Sequence, residues 1–131
     1  MGQNLTGVWK ANLEKSKLLG PAPKSIAVKI RHEDSDLLVA MLIIMSDGIE
    51  QRIEFTGPTN GAEVVNLVSG HQWRSRMQWV GDELMIESWV ELGERKLHFR
   101  DFWFRSKDGQ SLTMEHRDDD LRGQATSLDR V

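Results

Sequence analysis

Hydrophobic and polar residues alternate along most of the chain in short runs, which are separated by Gly, Asp, Asn and Ser. Alternation of this kind, repeated every roughly 8 to 14 residues, is typical of antiparallel β-strands joined by turns. The stretch 14–24 contains two prolines, which favours an extended strap over a helix. We predict ten strands, over Thr6–Leu13, Ser25–Glu33, Leu37–Ser46, Ile49–Thr56, Glu63–Val68, His71–Val80, Glu83–Leu92, Arg95–Ser106, Ser111–Arg117 and Gln124–Val131.

Short turns connect most of the predicted strands after residue 34. The candidates are Asp47-Gly48, Ser69-Gly70, Gly81-Asp82, Gly93-Glu94 and Asp108-Gly109, and Gly and Asp suit the backbone of two-residue hairpin loops. Consecutive hairpins form a meander, and a meander of about ten strands protects its edges best by closing on itself. We therefore predict an all-β fold, an antiparallel up-and-down β-barrel of about ten strands, in a single domain over residues 1–131.

The turns also predict which side chains face the interior, because residues that flank a two-residue loop pair directly. Pairing across three of these turns places Asp101 opposite both Ile86 and His116, whereas a three-residue loop at Gly109 would place Arg100 opposite His116. The inner surface built in this way is richly aromatic. It comprises Trp73, Met77, Trp79, Ile86, Val90, Leu97, Phe99, Trp103, Leu112 and Met114, with Ser75 and Ser88 near Asp101 and His116. On the outer surface the same pairing aligns four alternating charges, Glu63, Arg76, Glu87 and Arg100.

Asp101 and His116 are the candidate polar site of this interior. A carboxylate inside an apolar barrel is costly unless it is paired, so the two residues form a structural pair, hold the polar end of a ligand, or act as an oriented base. A Ser–His–Asp triad is not predicted, since serines on a regular strand lack the strained turn that exposes a nucleophile. The predicted ligand-binding residues are Trp73, Ser75, Met77, Trp79, Ile86, Ser88, Phe99, Asp101, Trp103, Met114 and His116.

Composition narrows the classes of function. The chain of 131 residues has no cysteine, which excludes thiolate metal sites and thiol catalysis, and its formal net charge of -3 does not favour nucleic acid. Its longest apolar stretch, Leu37–Met45, is too short to span a membrane as a helix.

No histidines have the spacing of a metal motif, so we expect no metal and no cofactor, although an inward His116 would also suit a haem-binding barrel. The compartment stays open: the chain as given has no leader, and a precursor could carry one.

The run Leu37–Met45 is apolar on both faces of its predicted strand. We assign Val39, Met41, Ile43 and Met45 to the outer face. A large apolar outer surface usually marks an interface. We therefore predict a homodimer through an outer wall made of Val39, Met41, Ile43, Met45, Met85 and Phe102.

The two ends of the chain resemble the calycin superfamily, which includes lipocalins and intracellular fatty-acid-binding proteins. The resemblance lies in Gly7-Val8-Trp9 and in the final strand, Thr126–Val131. The chain is also similar to small bacterial lipocalin-like proteins of unassigned function. That similarity lies in Glu14-Lys15-Ser16, in Gly20-Pro21-x-Pro23-x-Ser25 and in Ser106-x-Asp108-Gly109-x-Ser111-Leu112-Thr113.

The resemblance implies a barrel with a ligand in its interior, but two features depart from the fatty-acid-binding proteins. The segment 14–24 is too short and too rich in proline for their helix-turn-helix lid. Ser127 and Asp129 stand where their last strand has the Arg and Tyr that hold a fatty carboxylate. The resemblance therefore implies the fold and not a fatty-acid ligand.

We expect the protein to bind a small, largely apolar molecule in the barrel interior, with no nucleic acid as partner. Two alternatives remain. One is an enzyme of the barrel interior, an isomerase or hydrolase in which Asp101 orients His116 as a base. The other is a scaffold with a packed interior that acts through its outer apolar wall.

Overall fold

Ten antiparallel strands make up the fold of the computed structural model, which describes residues 4–18, 20–33, 35–117 and 124–131. The all-β prediction is confirmed, and within these residues no helix occurs, so none could span a membrane. The strands are β1 (Gly7–Ala11), β2 (Ser25–Glu33), β3 (Asp36–Ile44), β4 (Glu50–Pro58), β5 (Asn60–Val68), β6 (His71–Val80), β7 (Glu83–Leu92), β8 (Arg95–Arg105), β9 (Ser111–His116) and β10 (Ala125–Arg130). The predicted boundaries differ most at β5, which begins three residues earlier because a bulge lies between Asn60 and Glu63.

One continuous sheet contains all ten strands and curves into a nearly closed barrel. Its order is β4-β3-β2-β1-β10-β9-β8-β7-β6-β5, so the first and last strands of the chain pair with each other. The two ends of the sheet are β4 and β5, which are consecutive in the chain and meet along a seam. There the side chain of Asn66 takes the place of a backbone partner. The backbone N–H of Thr56 donates to Asn66 Oδ1 over 3.0 Å, and Asn66 Nδ2 donates to the carbonyl oxygen of Thr56 over 2.9 Å.

The strand registers predicted from the hairpin turns are confirmed. Asp101 lies opposite Ile86 on one side and opposite His116 on the other, which excludes the three-residue loop at Gly109. The predicted rows Trp79–Leu84, Met77–Ile86, Ser75–Ser88 and Trp73–Val90 are all present. Short turns leave little freedom in how two strands align, and this is why local sequence was sufficient here.

The outer charge ladder has the predicted backbone register but different ion pairs. Glu63, Arg76, Glu87 and Arg100 do lie in register on β5 to β8. However, Glu63 bonds to Arg74 Nε at 3.1 Å, and Glu87 bonds to His98 Nε2 at 2.7 Å. Long side chains reach diagonal neighbours on a twisted sheet as easily as direct ones.

The prediction that Val39, Met41 and Ile43 face outward is wrong. Val39 is fully buried opposite Ile30, Met41 lines the interior, and Ile43 lies opposite Ile26, which packs against the core. Alternation cannot choose a face for a strand that is apolar on both sides. The hairpin with β2 decides which face of β3 points inward. Glu33 pairs with Asp36, and this pairing fixes the register of β3 against β2 along its whole length.

The predicted outer wall for a homodimer therefore does not exist as a surface. Half of its six residues face the interior, and Met45 follows the end of β3. Met85 and Phe102 do pair on the outer face, but the guanidinium carbon of Arg117 lies 3.9 Å from the centre of the Phe102 ring. The apolar residues that β3 presents outward are instead Leu38, Ala40, Leu42 and Ile44, of which Leu38 is the exposed one.

One half of the barrel interior is tightly packed. Trp9 is fully buried there, its indole N–H donates to the carbonyl oxygen of Leu5 over 3.1 Å, and the guanidinium carbon of Arg130 lies 4.3 Å from its ring. The strap crosses nearby, where Lys17 and Ala125 exchange two backbone hydrogen bonds of 2.7 and 2.8 Å. The packed half consists of Leu5, Trp9, Val28, Ile30, Leu37, Val39, Met77, Leu84, Ile86, Trp103, Leu112 and Leu128.

Candidate functional site

A cavity of about 200 Å³ occupies the other half of the barrel interior. Several strands contribute to both halves: β6 passes from Met77 in the packed half to Ser75 and Trp73 at the cavity, and β3 passes from Val39 to Met41. This follows from the strand period of two, which sends every second residue inward. The cavity walls are Met41, Ile53, Phe55, Asn66, Val68, Trp73, Ser75, Ile86, Ser88, Phe99, Asp101 and Trp103.

The structure places seven of the predicted ligand-binding residues in the cavity wall. They are Trp73, Ser75, Ile86, Ser88, Phe99, Asp101 and Trp103. The other four lie elsewhere. Met77 belongs to the packed half, Met114 packs against it, and Trp79 stacks on His32 with ring centres 5.9 Å apart. His116 is not in the wall but contacts two residues that are, Phe99 and Asp101.

Five cavity residues were not predicted, and all lie on β3, β4 and β5. They are Met41, Ile53, Phe55, Asn66 and Val68. Met41 was assigned to the wrong face. Ile53 and Phe55 carried a usable signal, since they alternate with exposed polar or charged residues, but the loop joining β4 to β5 is not a two-residue turn from which their register could be counted. Asn66 and Val68 could have been placed by the count across Ser69-Gly70, which sets them opposite Trp73 and His71.

Besides Asn66 at the seam, the cavity holds two polar features in an otherwise apolar wall. The first is a pair of buried hydroxyls, Ser75 Oγ and Ser88 Oγ, which lie 3.0 Å apart on directly paired residues. The second is the carboxylate of Asp101, whose Oδ1 accepts a hydrogen bond of 2.8 Å from His116 Nδ1. The Asp101 side chain is 28% exposed and that of His116 is 12% exposed. The imidazole thus lies behind the carboxylate and orients it toward the cavity.

Aromatic rings surround these polar groups. Trp73 and Phe99 meet edge to face with centres 5.2 Å apart, and Phe55 and Trp103 meet at a tilt with centres 5.9 Å apart. Phe99 also contacts the His116 ring at 5.6 Å. Such pairs are mutually stabilising and hold their rings in place. The wall is therefore largely apolar and aromatic.

Cationic side chains and metal ligands are missing from the site as far as the structure describes the chain. In residues 4–18, 20–33, 35–117 and 124–131, neither lysine nor arginine lines the cavity, and no three His, Asp or Glu side chains gather to hold a metal ion. Ser127 and Asp129 flank the buried, inward Leu128 on β10, so they belong to the outer face. The last strand thus offers no carboxylate-binding pair.

Ten up-and-down strands, a Gly-x-Trp sequence in β1 and an internal cavity define a calycin-like β-barrel. A solved structure with a similar fold is the crystal structure of a mutant of the fluorescent protein UnaG. Its TM-score to this chain is 0.64, the sequence identity is 15%, and the match covers 96% of this chain and 95% of that one. At this identity the likeness establishes the fold alone. No protein-family model and no curated protein sequence matches the chain.

Proposed function

We propose that this protein binds a small, largely apolar molecule inside its barrel. The observation that carries the proposal is the cavity of about 200 Å³ beside a closely packed half of the same interior. Protein interiors are normally packed as densely as organic crystals. Clefts lined mostly by apolar and aromatic side chains with a few polar groups are the usual form of small-molecule sites.

The volume sets the size of the molecule. An engineered apolar cavity of about 150 Å³ is known to hold benzene, so a slightly larger cavity suits one ring with a short substituent. The ring would contact Trp73, Phe99 and Trp103, and its substituent would reach the side occupied by Ser88 and Asp101.

The two alternative functions have less support. A scaffold with a packed interior is disfavoured by the cavity, and the outer wall through which it would act is not assembled. An enzyme that uses His116 as a base needs the imidazole beside its substrate, yet the cavity wall includes Asp101 and not His116. No specific observation therefore favours a reaction over binding.

The first test is native mass spectrometry of freshly purified protein, followed by solvent extraction and identification of what is released. A stoichiometric small molecule would support the proposal and give its chemical class. A second test uses toluene as a probe, with binding followed by two-dimensional NMR. Ile53→Trp should fill the cavity and abolish toluene binding, whereas Val65→Trp, on the exposed face of β5, should not. Equal toluene binding by both variants would contradict an internal site.

A further inference from the structure

We infer that the molecule bound in this cavity is a small organic cation, an aromatic or alicyclic amine in its protonated form, with its ammonium group beside Asp101. This inference rests on the proposed function and adds the charge of the ligand to it. Three observations lead to it: the position of a carboxylate in the wall, the aromatic rings around that carboxylate, and the charge balance of the wall.

The carboxylate of Asp101 is placed to accept a hydrogen bond from a ligand. It lines the cavity, and its side chain is 28% exposed. His116 Nδ1 donates to Oδ1 over 2.8 Å, which fixes the orientation of the group. A carboxylate has about four acceptor sites on its two oxygens, so it can bind more than one donor at once. An ammonium group meets this acceptor with a charge-assisted hydrogen bond, which is stronger than a neutral one.

The aromatic rings around Asp101 suit a cation as well. Phe99 lies two residues before Asp101 on the inward face of β8, and Trp73 packs its edge against Phe99 with ring centres 5.2 Å apart. The faces of aromatic rings attract cations, most strongly where water is excluded. The hydroxyl oxygens of Ser75 and Ser88 add neutral acceptors to the same wall. Together these groups compensate for the hydration that an ammonium group loses on entering the barrel.

The charge balance of the wall selects against the opposite kind of ligand. Within the described part of the chain, Asp101 is accompanied in the wall by no lysine or arginine. A carboxylate ligand would place a second negative charge close to that of Asp101 in a space of low dielectric constant, which is unfavourable. A neutral apolar ligand would enter without that cost but would leave the carboxylate of Asp101 facing an apolar group.

A matched series of four compounds tests the inference. Toluene, benzyl alcohol, benzylamine and benzoate share one ring and differ in one small substituent. Their dissociation constants are measured by titration calorimetry at pH 7, where benzylamine is protonated. We expect benzylamine to bind roughly tenfold or more tightly than benzyl alcohol or toluene, the size of effect that one charge-assisted hydrogen bond produces. Benzoate should bind more weakly than all three.

The variant Asp101→Asn keeps the shape of the side chain and an acceptor for His116 but removes the charge. We expect it to bring benzylamine to the affinity of benzyl alcohol while toluene changes by less than roughly threefold. Asp82→Asn, in the exposed turn between β6 and β7, removes the same charge outside the cavity and should alter neither compound. If Asp101→Asn fails to fold, the carboxyl carbon signal of Asp101 in the unmodified protein provides the test. Benzylamine should shift it and toluene should not.

The outcomes separate this inference from the proposed function. The inference of a cationic ligand is wrong, and the apolar binding site stands, in any of three cases. These are that toluene or benzyl alcohol binds as tightly as benzylamine, that benzoate binds best, or that Asp101→Asn keeps the preference for the amine. If none of the four compounds binds, the proposed internal site fails together with the inference. If Asp82→Asn retains the preference for benzylamine and Asp101→Asn loses it, the result supports both the internal binding site and the cationic ligand.

Discussion

The seam between β4 and β5 depends on one side chain, and replacing Asn66 by leucine tests this directly. Leucine has the same number of side-chain heavy atoms as asparagine and branches at the same carbon, but it can neither accept from the backbone N–H of Thr56 nor donate to its carbonyl oxygen. Both hydrogen bonds, of 3.0 and 2.9 Å, would be lost. The seam lies between the two ends of the strand order, β4 and β5, which no backbone ladder joins in the described part of the chain.

The expected loss of stability follows from these two bonds. A hydrogen bond in a protein contributes roughly 0.5 to 1.5 kcal/mol net of its competition with water. Thr56 lies at an exposed position, so water can partly replace the lost partner and the values belong in the lower half of that range. We expect Asn66→Leu to lower the free energy of unfolding by about 1 to 2 kcal/mol.

Two measurements check this expectation. Urea unfolding gives the change in free energy, and NMR hydrogen exchange reports on the Thr56 amide, which should exchange faster once its acceptor is gone. The matched control is Asn60→Leu. Its side chain accepts only from the nearby backbone N–H of Ala62, over 3.0 Å, and does not cross the seam. The control should leave exchange at Thr56 unchanged.

The reasoning would be refuted by unaltered protection of the Thr56 amide in Asn66→Leu. The same conclusion would follow if Asn66→Leu and Asn60→Leu lost stability equally, since the effect would then come from losing an asparagine and not from the seam. Asn66→Asp adds a sharper comparison. A carboxylate can accept from the Thr56 N–H but repels its carbonyl oxygen, so this variant should recover only part of the stability at neutral pH.

Two further predictions concern local packing and a local pKa. Gly57→Ala would place a methyl carbon 2.7 Å from Met77 Cε and 2.8 Å from a Val64 methyl group, and such crowding should cost roughly 1 to 3 kcal/mol in urea unfolding; an unchanged midpoint would contradict the close approach. Hydrogen bonds from the Ser106 hydroxyl, and secondly from the Gln110 backbone N–H, hold the pKa of Asp108 below its usual value. A lowered pKa stabilises the folded state at pH values above the ordinary pKa of aspartate, and this stabilisation is lost as the pH falls. Ser106→Ala should therefore raise the pKa of Asp108, measured by NMR titration, and make folding stability depend less on pH. An unmoved pKa would remove the Ser106 hydroxyl as its main cause.

The parts of the fold that were predictable are those governed by short connections. The rows from β6 to β9, including Asp101 opposite His116, follow from three short hairpin turns and a simple count. The face of Met41 was predictable by the same count from the β2–β3 hairpin, but its own strand is apolar on both sides and gives no preference. The bulge in β5 lies between Asn60 and Glu63 and leaves Asn66 in the register set by the Ser69-Gly70 turn, opposite Trp73. Asn66 was therefore predictable by the same count, although it was not assigned to the inner surface.

Alternating side chains and turn residues are local properties, and they alone determined the all-β architecture, the positions of the strands and much of the inner surface. The division of that interior into a packed half and a cavity of about 200 Å³ was decided only by the tertiary structure. The physical reason is that empty space depends on side chains from β3, β4, β5, β6, β7 and β8 at once. Asp101 could be predicted to face inward, but only the assembled barrel shows that it faces space and His116 lies behind it.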